Sequence, residues 1–256
     1  MFRILLIGYN GRMGKAVSEL VSKSSAAEIV AGVDINPSIS NSGFPIFTQI
    51  SDFSGKADVI IDFYHHSFTE SLLQYSIETQ TPVVIATTGH TDEEKKLIRD
   101  CADKTAIFMS ANMSLGINLM IELSKKAAVL LQRNYDIEII EKHHNQKLDA
   151  PSGTALMIAN GIKEAVEDEM ELVYDRHSER KVRGSQEIGM HAIRGGTIVG
   201  EHEVIFAGRD EIFTITHSAL SREVFASGAL KAALYMSGRD KGMYDMKRLL
   251  DEAIGE

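Results

Sequence analysis

The start of the chain combines a short apolar run, a glycine-rich turn and a helical pattern, which strongly limits the folds it can adopt. Residues 2–7 (FRILLI) are almost continuously apolar, as in a buried strand, and GYNGRMG at residues 8–14 follows directly. Glycines in such a turn let the backbone approach a pyrophosphate, and the following helix start attracts its negative charge. The first glycine lies one place earlier than in the G-x-G-x-x-G fingerprint, so a purely structural glycine turn stays open as an alternative.

An acidic residue ends the second strand pattern. Residues 28–34 (EIVAGVD) form a strand-like run, and Asp34 lies twenty residues after Gly14 (34 − 14). This is the usual place of the carboxylate that binds the ribose of a dinucleotide. The sequence thus predicts a dinucleotide site built from the glycine turn and Asp34.

The alternation of strand and helix patterns continues to residue 109. Strand patterns at residues 57–62, 82–86 and 106–109 are separated by helical patterns at 68–79 and 92–103. Alternating strands and helices predict an α/β fold with a parallel, doubly wound sheet.

Ligands of such a sheet bind beyond the carboxyl ends of its strands, so the loops there are candidates for cofactor contacts. These loops are FYHH at residues 63–66, TTGH at 87–90 and SANM at 110–113. Thr87, Thr88 and Asn112 can hydrogen-bond an amide or a ribose, although such residues are also common in ordinary turns. His65 and His66 are interpreted as solvated or supporting residues.

The second half of the chain changes character and predicts a separate α+β domain. A strand pattern at 135–141 and a helix at 152–166 are followed by strand-like runs at 186–193, 197–207 and 211–218. Consecutive strands with short turns indicate an antiparallel or mixed sheet. The last segment, 222–235 and 243–254, is predicted to be helical and to return to the first domain. We therefore expect a dinucleotide-binding domain of residues 1–113 and 222–256, and a substrate-binding and tetramerisation domain of residues 114–221.

A polar loop, EKHHNQKLDAPSGT at residues 141–154, joins the strand and helix that open the second domain. His143 and His144 point to different sides of an extended chain, so different roles are expected for them. Histidine titrates near neutrality, and Lys147 adds a cation, or an acid if burial lowers its pKa. The helix start after Pro151 offers free backbone N–H groups that favour an anion. The loop is suited to protonating an anionic substrate.

Two other interpretations of this loop stay open at this stage. A zinc site would need a third ligand in register, and the single cysteine, Cys101, lies far away in a helical pattern. A solvated polar loop without a chemical role is the other alternative.

Composition limits the partners that the protein can have. The 256 residues carry 27 Lys and Arg against 36 Asp and Glu, a net charge of −9, which argues against nucleic acid as a partner. No run of about eighteen apolar residues appears, so no membrane span is expected. One cysteine permits no internal disulfide, and with no signal peptide pattern at the N-terminus we expect a cytoplasmic protein.

Several segments, taken together and in order, resemble the 4-hydroxy-tetrahydrodipicolinate reductase (dihydrodipicolinate reductase) family. They are residues 8–14, ATTG at 86–89, SANMSLG at 110–116, the loop at 141–154 and RGGTIVGEH at 194–202. The resemblance implies a Rossmann-type parallel sheet domain closed by a C-terminal segment, and a smaller α+β domain whose open mixed sheet builds a homotetramer. It also implies reduction of a small cyclic dicarboxylate with NADH or NADPH in the bacterial route to diaminopimelate and lysine.

The same resemblance assigns roles to individual residues. It implies that His143 and Lys147 are catalytic acids and that His144, Gly153 and Thr154 bind the substrate. The residues that it places around the cofactor are Gly8, Tyr9, Asn10, Gly11, Arg12, Met13, Asp34, Ala86, Thr87, Thr88, Ser110, Ala111, Asn112 and Met113. No metal is implied.

The neighbourhood of Asp34 predicts that NADH is preferred to NADPH or used equally well. A carboxylate there accepts ribose hydroxyls but repels a 2′-phosphate, the next residue is Ile35, and no Lys or Arg occurs from Asp34 to Phe53. Arg12 is the nearest cation that can offset this repulsion.

Two other function classes compete at this stage. One is another NAD(P)-dependent enzyme, such as an amino-acid or aldehyde dehydrogenase, the aldehyde type needing a cysteine near the nicotinamide. The other is a nucleotide sensor without turnover, which would have no use for a His/Lys acid pair.

Overall fold

The computed structural model describes residues 1–35, 43–131 and 134–255, and the chain divides into two compact units. The first comprises Met1–Leu115 and Arg222–Glu256, and the second comprises Gly116–Ser221. The strands, in chain order, are β1 (Phe2–Ile7), β2 (Ala27–Val33), β3 (Ile46–Phe47), β4 (Val59–Asp62), β5 (Val83–Ile85), β6 (Ala106–Met109), β7 (Asp136–His143), β8 (Glu171–Val173), β9 (Glu187–Arg194), β10 (Gly200–Ala207), β11 (Ile212–Ala219) and β12 (Gly242–Tyr244). The helices are α1 (Arg12–Ser22), α2 (Thr69–Thr79), α3 (Asp92–Cys101), α4 (Leu115–Leu131), α5 (Gly153–Ala165), α6 (Glu223–Tyr235) and α7 (Met246–Ile254).

The first unit is built on a seven-stranded parallel sheet with the order β12-β6-β5-β4-β1-β2-β3. Side chains alternate across β1, so Ile4 and Leu6 enter one apolar cluster while Leu5 and Ile7 enter another on the opposite face. Helices cover both faces, which explains why the central strands are continuously apolar. The predicted doubly wound, Rossmann-type sheet is confirmed.

The C-terminal segment packs on this first sheet. Helix α6 lies against α1, and its alanines, among them Ala229 and Ala233, are buried in the same cluster as Ile4. The prediction that residues 243–254 are entirely helical is wrong, because β12 pairs parallel with β6 before α7 begins. Asp245 lies between the two elements and is the N-cap of α7. Its side chain accepts a 2.8 Å hydrogen bond from the backbone N–H of Arg248.

The second unit is a five-stranded mixed sheet with the order β11-β10-β7-β9-β8. Strands β8, β9 and β7 are parallel, whereas β10 is antiparallel to both β7 and β11. The predicted antiparallel or mixed sheet is therefore confirmed, while β8 was missed because a three-residue edge strand has too little periodicity to detect. Strand β10 begins at Gly200, three residues later than predicted.

One face of this sheet carries the core of the second unit. Ile139 of β7 and Val204 and Phe206 of β10 pack with α4 and α5 residues such as Ile117 and Ile158. The opposite face is lined by half-buried or exposed side chains of the same strands, and among the residues that the structure describes the helices pack on one side of the sheet alone.

Candidate active site

The glycine turn after β1 forms a close-packed cradle. Gly8 has a φ of +79°, and a Cβ on it would lie 2.9 Å from the backbone of Phe63. A Cβ on Gly14 would lie 2.3 Å from the carbonyl oxygen of Gly8. Side chains are excluded at both positions, so backbone N–H groups line the turn at the start of α1. The sharp turn and close helix approach are the features that a pyrophosphate site requires.

The turn lies at the point where the strand order of the first sheet reverses. Strand β1 has β2 on one side and β4 on the other, and the chain crosses over between them. Ligands of open parallel sheets bind at such a switch point, beyond the carboxyl ends of the strands. The candidate cofactor residues after β1, β2, β4, β5 and β6 all lie at that edge of the sheet.

Asp34 is hydrogen-bonded to the backbone of the glycine turn. Its Oδ2 accepts a 3.0 Å hydrogen bond from the backbone N–H of Asn10, and its own N–H donates to the carbonyl of Phe47. The side chain is 7% exposed, whereas the neighbouring Ile35 is 61% exposed. The carboxylate is thus held beside the turn, at the carboxyl end of β2, as a ribose-binding acid must be.

The loop after β5 is anchored by a buried carboxylate. The hydroxyl of Thr87 donates a 2.7 Å hydrogen bond to Asp62, and Asp62 also accepts from the backbone N–H of Tyr64 at 3.0 Å. Because its proton is engaged, the Thr87 hydroxyl can act toward a ligand as an acceptor. Thr88 and Ala111 are exposed at the same edge of the sheet, and Ala86 is half-buried.

The loop after β6 is shaped by its own polar side chains. The hydroxyl of Ser110 donates to the carbonyl of Asn112 at 2.8 Å, and the Asn112 side chain accepts from the backbone N–H of Ser114 at 2.9 Å. Gly228 of α6 packs directly under this loop, since a Cβ there would lie 1.7 Å from the carbonyl oxygen of Met113. Helix α6 thereby supports the loop from below.

Two predicted cofactor residues have their side chains in the core. Tyr9 is 8% exposed with its ring 5.1 Å from that of Phe44, and Met113 is 3% exposed in the same cluster. Met13 is half-buried against that cluster, whereas Arg12 is exposed at the start of α1. At Tyr9 and Met113 the backbone is the part available to a ligand.

In the second unit, strand β7 extends to His143 instead of ending at residue 141 as predicted, so the segment at residues 141–154 begins within the strand, and its first charged group is buried. Glu141 is 0% exposed and its carboxylate is surrounded by donors. Arg194 of β9 donates to both carboxylate oxygens at 2.7 and 2.6 Å, and the backbone N–H of Ser152 donates at 3.0 Å. Nδ1 of His143 lies 2.6 Å from Oε2. Burial acts to raise the pKa of Glu141, but the hydrogen bonds from Arg194 and His143 outweigh it and lower that pKa.

His143 is the histidine that this cluster holds. It is 8% exposed, and this burial lowers the pKa of its imidazole. The hydrogen bond and charge of Glu141 raise that pKa and so offset part of the effect, whereas the charges of Lys147 and Arg194 lower it further. The ring of His202 packs edge-on against it with centroids 5.2 Å apart. Burial lowers the pKa of His202 to about 4, and its Nε2 lies 3.0 Å from the hydroxyl of Ser152.

Lys147 and Asp149 form an ion pair of 2.8 Å on the same loop. The hydrogen bond from Lys147 is the largest cause that lowers the pKa of Asp149, and the backbone N–H of Gly153 contributes as well. The Lys147 charge also acts on His143, so the two proposed acids lie within electrostatic range of one another. His144 is half-buried.

The start of α5 faces this loop. Ser152 caps the helix by accepting a 3.1 Å hydrogen bond from the backbone N–H of Ala155, while Gly153 is exposed and Thr154 half-buried. A Cβ on Gly153 would meet nothing within 4 Å, so this helix start is open to a ligand. The predicted substrate residues and acids are thus brought together in the second unit.

Sequence patterns did not assign roles to three residues that organise these sites. Asp62, Arg194 and His202 are separated by 25 to 53 positions from the side chains with which they form hydrogen bonds. Arg194 and His202 are the first and last residues of the RGGTIVGEH motif, which is the one sequence signal that points to them.

Within the described residues, no group of three or more His, Cys, Asp or Glu side chains is arranged to hold a metal ion. In the same part of the chain, no helix has the length and apolar character needed to cross a membrane.

Family models, related sequences and a solved structure all match this chain to the same family. The family model for the N-terminus of dihydrodipicolinate reductase matches residues 2–113, and the model for the C-terminus matches residues 116–250. Proteins named 4-hydroxy-tetrahydrodipicolinate reductase from Caldanaerobacter subterraneus subsp. tengcongensis and Clostridium tetani are each 49% identical over 98% of this chain and 98% of their own length. A dipicolinate-bound dihydrodipicolinate reductase from Paenisporosarcina sp. TG-14 superposes with a TM-score of 0.80 at 25% identity, covering 96% of this chain and 97% of that one.

Proposed function

The chain belongs to the dihydrodipicolinate reductase family, and on that premise we propose how its residues reduce 4-hydroxy-tetrahydrodipicolinate to tetrahydrodipicolinate with NADH or NADPH. The reaction belongs to the biosynthesis of diaminopimelate and lysine. The first unit is the dinucleotide-binding domain, and the second is the substrate-binding and tetramerisation domain.

The first unit holds the dinucleotide through the turn at residues 8–13 and Asp34. The cradle that excludes side chains at Gly8 and Gly14 leaves backbone N–H groups for the pyrophosphate. Asp34 accepts from the adenosine ribose, and the loops at 86–88 and 110–113 line the nicotinamide end. When bound, the reduced nicotinamide supplies a hydride.

The second unit holds the cyclic dicarboxylate. One substrate carboxylate binds at the open start of α5, where Gly153 and Thr154 present N–H groups and a hydroxyl. Lys147 and His144 neutralise the negative charge of the substrate, so Lys147 exchanges its ion pair with Asp149 for a substrate carboxylate. The relative from Paenisporosarcina, whose structure contains dipicolinate, supports a small cyclic dicarboxylate as the ligand.

His143 provides the proton that completes the reaction. The 4-hydroxyl group and a hydrogen of the adjacent ring carbon leave as water, which creates a C=C bond conjugated with the ring C=N bond. The hydride then adds to the far carbon of this conjugated system, and the displaced electron pair generates an enamine. A proton from His143 then adds to that enamine, with Lys147 as a second acid in the same loop. Stabilising charge as it develops is the largest contribution that such a site makes to the rate.

The observation that carries the proposal is the placement of the two acids and an open helix start in one loop of the second unit. A nucleotide sensor would gain nothing from this arrangement. The test is to incubate purified protein with NADH, pyruvate, aspartate semialdehyde and the preceding synthase, and to follow the NADH absorbance. Protein-dependent loss of absorbance that requires the synthase supports the proposal, whereas its absence contradicts it.

NADH is used in preference to NADPH or equally well. The Asp34 carboxylate is held beside the glycine turn by Asn10, and the following Ile35 supplies no charge for a 2′-phosphate. Arg12 is exposed at the turn and offsets part of the repulsion. An exposed cation of this kind contributes about 1 kcal/mol or less, which is too little for strong NADPH selectivity.

The protein assembles as a cytoplasmic homotetramer through the uncovered face of the second sheet. On that face, Ile212 of edge strand β11 is 70% exposed beside Ala207 of β10, and no helix packs there among the residues described. Apolar surface at a sheet edge favours association with another chain.

A further inference from the structure

We propose that Glu141 is a positioning residue for the proton transfer, because its carboxylate fixes one proton of the His143 ring on Nδ1 and leaves Nε2 as the nitrogen that donates to the substrate. This inference deepens the proposed function and rests on the assignment of His143 as the acid.

The hydrogen bonds around Glu141 determine which atom carries the proton. Arg194 donates a hydrogen bond to each carboxylate oxygen, and the backbone N–H of Ser152 donates a second one to Oε1. A carboxylate with such partners is ionised and accepts hydrogen bonds without donating any. The 2.6 Å contact with His143 therefore requires Nδ1 to be the donor, in the neutral ring as well as in the charged one.

Strand geometry explains why this contact forms. Glu141 and His143 are two residues apart on β7, so both point to the same face of the sheet. Arg194 lies opposite His143 in the register of β9 and reaches back to the Glu141 carboxylate, and it also donates to the carbonyl of Asp149 at 2.6 Å. The carboxylate is thus fixed from three sides and cannot follow the imidazole if the ring rotates.

The other ring nitrogen lies beside a glycine. A Cβ on Gly200 would lie 3.1 Å from Nε2 of His143, so the glycine keeps that side of the ring clear. Within the described part of the chain, Nε2 has no hydrogen-bond partner. During turnover the Nε2–H bond breaks, the proton joins the enamine of the substrate, and the bonding electron pair stays on Nε2. The neutral ring that results is the Nδ1–H tautomer already held by Glu141.

The charge of Glu141 also balances the groups that face His143. These groups are Lys147 of the loop, Arg194 of β9 and His202 of β10, of which the first two are cations. Glu141 supplies the negative charge that favours the imidazolium. Its replacement by an uncharged side chain makes the acid form of His143 harder to populate.

The kinetic test uses Glu141→Gln, whose amide oxygen still accepts from Nδ1 while the charge is lost. We expect the midpoint of the alkaline limb of the kcat profile to move at least one pH unit lower, with KM changing less than threefold. At a pH above both midpoints, kcat should fall tenfold or more, and lowering the pH should restore most of it. Glu122→Gln, which removes a half-buried ion-paired carboxylate from α4, is the matched control and should leave the midpoint unchanged.

A uniform loss of kcat without a change in midpoint would show a merely structural role for Glu141 and overturn the inference. A direct measurement leaves Glu141 unaltered: the ¹⁵N shifts of histidine-labelled wild-type protein report the tautomer, with the His143 signals identified by their absence in His143→Gln. A neutral ring protonated on Nδ1 supports the inference, and one protonated on Nε2 refutes it. Near-full kcat in His143→Gln would instead refute the assignment of His143 as the acid, whatever tautomer the ring adopts, while absence of synthase-dependent NADH loss would refute the proposed function.

Discussion

The hydroxyl of Thr87 and the carboxylate of Asp62 are joined by a 2.7 Å hydrogen bond at the carboxyl ends of β5 and β4. Asp62 is 2% exposed, and burial raises its pKa to about 6 although Thr87 and the backbone of Tyr64 act in the opposite direction. The pair ties together two adjacent loops that the proposal assigns to the cofactor. It also places a carboxylate with a perturbed pKa beneath the site.

The first prediction concerns Asp62→Asn and the pH dependence of stability. The pKa of Asp62 in the folded state lies above the ordinary value of 3.8, so between about pH 4 and 6 the native state binds more protons than the unfolded state. The contribution of Asp62 to the free energy of unfolding is therefore lost as the pH rises through that window. At about 1.4 kcal/mol per pH unit, the difference amounts to about 3 kcal/mol. The unfolding free energy of Asp62→Asn relative to wild type should therefore rise by up to that amount from pH 4 to pH 7. Denaturant unfolding at the two pH values measures it, and an unchanged difference would contradict the prediction.

The second prediction is that His143→Gln lowers kcat by about 10² to 10⁴, the range expected for the loss of a general acid. The ring is held by Glu141 and is replaced by a side chain that cannot give up a proton. Steady-state kinetics at saturating substrate measure the effect. His177→Gln changes an exposed histidine of the same unit and is the control. A near-wild-type kcat in His143→Gln would exclude the acid role.

The third prediction is that Lys147→Ala raises KM for the dicarboxylate and also lowers kcat. The substitution removes a cation that the proposal pairs with a substrate carboxylate, together with the second acid of the loop. Initial rates and dipicolinate binding by calorimetry measure the two effects. Lys163→Ala, at the far end of α5, should leave both unchanged. Unaltered dipicolinate affinity in Lys147→Ala would show that Lys147 does not bind the dicarboxylate.

The fourth prediction concerns the choice of cofactor at Asp34. The wild-type ratio of kcat/KM should favour NADH or lie near one, and Ile35→Arg should shift the ratio toward NADPH by supplying a cation for the 2′-phosphate. Ile35→Gln is the uncharged control. Both cofactors are compared at one ionic strength. A wild-type preference for NADPH greater than about tenfold, equivalent to roughly 1.4 kcal/mol, would show that Asp34 does not hold the ribose.

The fifth prediction is a mass of four chains by light scattering at micromolar concentration. Ile212→Glu should shift the mass toward smaller species, because it places a charge on the exposed edge strand β11. Ile254→Glu, on an exposed apolar side chain of α7, is the control and should keep the wild-type mass. A monomeric wild-type protein would rule out the tetramer.

The fold was largely predictable because most of its elements have strong local signals. Continuous apolar runs identified β1 and β5 as strands of a buried parallel sheet, and 3.6-residue periodicity identified helices such as α3. Errors occurred where the local signal was short or misleading. Residues 243–254 were predicted to be one helix, although Met243 and Tyr244 pair with β6, a contact that depends on a strand more than 130 positions earlier.

The sequence by itself determined the two segments to which the proposal assigns function, the glycine turn at residues 8–14 and the segment at 141–154. Each is continuous, so its turn, helix start and reactive side chains follow from residues a few positions apart. Only the tertiary structure decided which partners those side chains have. Arg194 reaches Glu141 across 53 positions because β9 pairs with β7 in one particular register, and Thr87 reaches Asp62 because β5 lies beside β4. The contacts that set protonation arise from strand register and burial, and neither leaves a local pattern in the sequence.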